Sequence, residues 1–158
     1  MEQQLFIKMI TDAWRAQNKK VDELLDQLTE TQWSADTAPG KNTGIYLLGH
    51  LAAVNDSMLP LLGFGQKMYP ELENIFLSSP DKSGQQFPSL ADLKKYWNEI
   101  NAVLNGHINN TQPADWFTQH TSVSAEDFAK EPHRNKLNIL ISRTIHQSYH
   151  LGQLAYLK

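Results

Sequence analysis

The sequence predicts an all-α protein, a four-helix bundle with long crossover connections. Three observations predict it. Four segments carry apolar residues at helical spacing, over residues 3–28, 43–62, 90–108 and 135–157. No segment alternates apolar and polar residues as a half-buried strand would. Two of the connections are long and broken by Pro, Gly and Ser, so simple up-down-up-down order is not implied. At 158 residues the chain is the size of one domain, residues 1–158, and large enough to bury a core without staples.

The first helix carries an apolar stripe at Leu5, Met9, Ala13 and Ala16 that drifts into Val21, Leu24, Leu25 and Leu28. Thr29 to Lys41 reads as a connection with a short turn after Thr29 and Trp33 as a packing anchor. The second helix starts at Asn42 or Thr43, either of which can accept from a free first-turn N–H, and stops near Leu62-Gly63, just after Pro60. Gly63 to Pro88 has no sustained period. Its apolar residues Leu72, Ile75, Phe76 and Leu77 predict a short packed helix. Ser89, with Asp92 three residues on, caps the third helix, which runs to about Ile108. Thr111 to Pro132 reads as a second irregular crossover with one short turn after Ser124. In the last helix Gly152 offers close approach to a neighbouring helix or a partner subunit.

Composition narrows the function classes. A net charge of −3, with 14 Lys and Arg against 17 Asp and Glu, gives no basic patch, so no nucleic acid is expected as a partner. No apolar run looks long enough to span a bilayer, so no membrane is expected either, and the acidic, polar start does not look like a signal peptide. The absence of cysteine rules out disulfides and thiolate zinc sites. It leaves histidine and oxygen as the only metal ligands and makes the cytoplasm the expected compartment.

Six histidines remain. His146 and His150 stand four residues apart, so they share one helix face, one turn apart. His50 lies inside the apolar second helix, among Tyr46, Leu47, Ala53, Val54 and Ser57. Three neutral imidazoles from two helices match the three-ligand plan of a catalytic metal site with room for water or substrate. Nitrogen-only ligation suits zinc, nickel, copper or ferrous iron without choosing among them, and the expected cofactor is a divalent ion, zinc or nickel ahead of iron, manganese or copper. His107, His120 and His133 read as surface or capping residues. Because His146 is followed by Gln147, the helix-borne glutamate base of a metalloprotease is missing. Arg143, Gln153 and Ser57 flank the three histidines and read as polar contacts of the bundle ahead of substrate groups.

The set Leu48-Gly49-His50-Leu51 with His146-Gln147-Ser148-Tyr149-His150-Leu151-Gly152-Gln153, preceded by Thr29-Glu30-Thr31-Gln32-Trp33, resembles the DinB/YfiT-like superfamily of metal-dependent enzymes. The resemblance spans nearly the whole chain. It implies a divalent metal at the positions of His50, His146 and His150, a homodimer, and a small-molecule substrate. It also implies a low-molecular-weight thiol as co-substrate, because characterised relatives include thiol S-transferases and a thiol-dependent isomerase. The reading that follows is a metal-dependent enzyme of the thiol S-transferase or hydrolase type. The alternative is a metal-binding, stress-associated protein without turnover. A third reading leaves the histidines as core residues of a helical interaction module.

Overall fold

Three of the four long helices begin where a side chain can accept from a first-turn N–H. Thr43 accepts from Tyr46, Ser89 from Asp92 and Asn135 from Asn138. A computed structural model describes all residues, 1–158. Its long helices are α1 (Glu2–Gln27), α3 (Gly44–Leu62), α5 (Leu90–Asn110) and α7 (Lys136–Leu154). The short ones are α2 (Glu30–Ser34), α4 (Leu72–Phe76) and α6 (Ala125–Lys130), with 3-10 turns over Pro113–Phe117 and Ala155–Leu157. The turn expected after Thr29 is α2, opened by a full capping box between Thr29 and Gln32. α3 ends at Gly63, whose φ of 74° is a left-handed conformation that glycine adopts without strain.

Cross-helix hydrogen bonds give the direction of each helix. Lys94 Nζ donates to the Leu25 carbonyl and Arg15 to Asn109, so α1 and α5 are antiparallel. Asn55 bonds Asn101, and Phe64 stacks on His107, so α3 and α5 are parallel. Gln32 reaches the Leu157 carbonyl, bringing the C-terminal ends of α1 and α7 together. The order is therefore up-down-down-up, which requires the chain after α3 to travel back along the bundle. Residues 63–89 do this. The second long connection stays at one end, where Thr121 N–H donates to the Leu61 carbonyl and Lys136 N–H to Thr118.

One cluster of 28 buried residues fills the centre, with Trp14, Trp33, Trp97 and Trp116 almost wholly enclosed. Val21, Leu24, Leu25 and Leu28 are buried as expected, but in the first half of α1 the buried face differs from the stripe expected. Thr11, Trp14, Asn18 and Val21 point inward, while Leu5, Met9, Ala13 and Ala16 face solvent. The polar Thr11 and Asn18 disguise the core face in the sequence. The buried Asn18 accepts through its carbonyl oxygen from Gln147 of α7 at 2.8 Å, which satisfies one end of each amide. α3 also departs from expectation. It is long and apolar enough to cross a membrane by length and composition, with a mean hydropathy of 1.3. Most of it is buried among the other helices, along with Asn55 and Asp56, as a core helix would be.

The returning segment is tied down at both ends by carboxylates. Near its start, the buried Asp56 accepts from the N–H groups of Met68 and Tyr69 at 2.8 and 2.9 Å. Near its end, Asp81 accepts from the N–H and hydroxyl of Thr43, at the N-terminus of α3, where the helix dipole favours an anion. Asp56→Ala, which removes both acceptors of the first anchor, is expected to lower unfolding free energy by about 2 kcal/mol. Urea denaturation measures this, and a change below about 0.5 kcal/mol would show that the anchor is dispensable.

Candidate metal centre

α3 and α7 are antiparallel, and their facing surfaces bring the three expected histidines together. Nε2 of His146 lies 3.2 Å from Nε2 of His50 and 3.1 Å from Nε2 of His150. The candidate ligand atoms of all three lie within 4.8 Å of one another.

The other ring nitrogens decide where the hydrogens sit. Nδ1 of His50 lies 2.9 Å from the Phe76 carbonyl oxygen, which can only accept, so Nδ1 carries the hydrogen and Nε2 keeps its lone pair. Nδ1 of His150 faces Oε1 of Gln153 at 2.7 Å, with the same result. His146 Nε2 can donate a hydrogen to one of these lone pairs, but not to both. Two fixed lone pairs facing at most one hydrogen form a donor set suited to a cation. Metal–nitrogen bonds of about 2.0–2.1 Å at roughly 90–110° separate two nitrogens by about 2.8–3.4 Å, which brackets both spacings. With all three ligand atoms within 4.8 Å of one another, the histidines could hold a divalent ion.

Burial pushes the proton affinity of all three rings down, and Arg143 adds to this at His50 and His146. At His146 burial and the neighbouring His150 and His50 take the pKa to about 4. The rings are therefore neutral at pH 7, the form that ligates a metal. An unfolded histidine protonates near pH 6.5, so between 6.5 and 4 the unfolded chain holds the extra proton and stability falls with pH. The metal-free protein is expected to be stable above pH 6.5 and progressively less so toward pH 4. Denaturation at pH 7 and pH 5 checks the sign, and greater stability at pH 5 would contradict it.

Positioning comes from the returning segment. Phe76 of α4 lies against Gly49, where a Cβ would collide with its ring. The Phe76 carbonyl that orients His50 also accepts from the Tyr46 hydroxyl, and Tyr46 stacks on His50 with rings 6.3 Å apart. These residues escape a sequence reading, though a glycine preceding a histidine in an apolar helix marks a close approach. Gln153, expected to be a bundle contact, holds His150. Ser57 bonds only its own helix, at the Ala53 carbonyl. His107 and His133 are exposed, as expected. His120 differs from expectation, for it is buried, because Thr121 pins this loop onto the last carbonyls of α3.

The family model of the DinB superfamily matches residues 13–154, a span that holds all three histidines. The chain belongs to the DinB superfamily. A search of curated proteins returns no match. Among solved structures, a crystal structure of a conserved protein from Enterococcus faecalis is similar with a TM-score of 0.65 and 16% identity. The match covers 95% of this chain and 93% of that one and shows the shared fold. In this DinB-superfamily chain the largest groove, about 370 Å³, lies between α1 and α7 and is lined by Gln17, Lys20, Ser148 and Gly152, away from the histidines. Nothing approaches a Cβ built on Gly152, so no helix of this chain uses the close approach expected there.

Proposed function

We propose that this DinB-superfamily protein is a metal-dependent enzyme acting on a small molecule in the cytoplasm, with His50, His146 and His150 holding a divalent ion. The observation that carries this reading is the pair of fixed lone pairs on His50 and His150 meeting at His146 Nε2. Three neutral imidazoles suit zinc or nickel, as they do copper or ferrous iron. The ion would lower the pKa of a bound low-molecular-weight thiol and ready its thiolate for an electrophile. The chain's own part is to orient the rings through Phe76 and Gln153 and to keep them unprotonated at neutral pH. Protein purified without added metal tests the site: the parent is expected to carry about one ion per chain, and the double variant His50→Ala, His146→Ala almost none. Equal metal in both would sink it. A screen of thiols against electrophilic substrates tests the transferase chemistry, which falls if turnover needs no thiol.

A second reading, metal binding without turnover, draws on the position of the largest groove away from the histidines. We also propose that two copies pair through α1 and α7. Leu5, Phe6 and Met9 on α1 and Ile145 and Tyr149 on α7 are exposed large apolar side chains, and an apolar groove lined by Ile10, Ala13, Ile141 and Ile145 separates the two helices. A face two helices wide and about 30 Å long covers roughly 600 Å², so two copies would bury about 1,200 Å², the lower end of stable interfaces. Sedimentation of the parent and of Ile145→Lys is expected to give dimer and monomer; a monomeric parent would refute it.

A further inference from the structure

Arg143 is a half-buried cation without a partner in the protein. The other two arginines have partners: Arg15 pairs with Asp12 and bonds Asn109, and Arg134 pairs with Glu131. Arg143 makes no hydrogen bond and no ion pair, although its Nε is sealed from solvent. It occupies the i−3 position from His146 and i−7 from His150, so it shares their face of α7, one turn toward the C-terminal half of α3. No carboxylate of the protein forms an ion pair with it. α7 contains no Asp or Glu, and the single acid of α3, Asp56, is committed to the amides of Met68 and Tyr69.

A partly desolvated charge without a partner is costly, and the chain tolerates this one beside three neutral imidazoles. With a divalent ion on the histidines the formal charge of the cluster is +3 and no side-chain anion offsets it. We propose that Arg143 is the anion-recognition residue of the site and that the substrate or co-substrate carries an oxyanion, a carboxylate or a phosphate, within one helical turn of its metal-bound atom. The planar guanidinium suits either group through paired N–H donors. Its terminal nitrogens are not among the sealed atoms, so a ligand can reach them while Nε stays fixed below. Burial also lowers the proton affinity of Arg143, the response of a desolvated cation with no counter-ion.

This inference rests on the three-histidine metal reading, and the experiment separates the two. The protein is loaded with cobalt(II), and its visible absorption is followed while acetate, inorganic phosphate or neutral acetamide is added. The parent is expected to bind one cobalt per chain and to show a saturable change with at least one of the two anions but not with acetamide. Arg143→Gln is expected to keep the cobalt stoichiometry and melting temperature and to weaken anion binding at least tenfold. Arg143→Lys is expected to retain more phosphate than acetate affinity, because a point charge replaces the paired donors. Unchanged anion affinity in Arg143→Gln, or no anion response in a cobalt-loaded parent, overturns the proposal and leaves the metal site standing. A parent that takes up no cobalt overturns both.

Discussion

Zinc or nickel added to the metal-free protein raises its melting temperature by roughly 8–16 °C, and in His146→Ala this rise disappears. The size follows from linkage. A ligand that binds only the folded state at about a thousand times its Kd adds about 4 kcal/mol. For a domain of this length, each kcal/mol moves the melting point by about 2–4 °C. His146 is the residue to remove because its Nε2 lies within 3.2 Å of both other Nε2 atoms, so its loss opens the centre of the set. The metal-free variant itself should melt close to the metal-free parent. His146 Nδ1 is buried without a partner, so deleting the ring gives up no more than the one hydrogen bond its Nε2 can donate. Differential scanning with and without metal decides the matter, and an equal rise in the variant would place the ion elsewhere.

Gly49→Ala unfolds or severely destabilises the protein and weakens metal binding, although alanine is the better helix former. In an open helix the change would gain up to about 1 kcal/mol. Here the new methyl would overlap the Phe76 ring, and forcing a packed core to open costs about 1–3 kcal/mol or more. Moving Phe76 also removes the carbonyl that orients His50, a kind of loss that lowers metal affinity by about 10–100-fold. Gly152→Ala is the control. Nothing lies within 4 Å of the added Cβ, so it should leave metal binding alone and gain up to about 1 kcal/mol. Denaturant melts and metal titrations of both variants test the pair, and matching behaviour would show that Phe76 yields freely.

Helix identity was legible because capping side chains and helical spacing are local signals. Thr43, Ser89 and Asn135 each cap as their side chains permit. The histidine pair on α7 follows from spacing alone, and His50 from its apolar surroundings. What could not be read depends on distant partners. Asn18 looks like a solvent residue until Gln147 is known to meet it, which is why the inner face of the first half of α1 was misplaced. The Phe76 carbonyl is invisible because any residue supplies a carbonyl, and only the path of the returning segment brings this one to His50. His120 is buried by a bond from Thr121 to α3, a contact that no pattern around His120 encodes. Arg143 was visible as a neighbour of the histidines, yet its lack of a counter-ion is a property of the whole assembly.

The segment between α3 and α5 is held by Asp56 near one end and Asp81 near the other, and between them it lends a backbone oxygen to a histidine. Occupancy of the site and closure of this strap are therefore two faces of one equilibrium. An ion that favours the oriented His50 ring must also favour the closed strap, by the same free energy. Slowed amide hydrogen exchange through residues 63–89 on metal addition would make this segment a backbone gauge of whether the centre is filled.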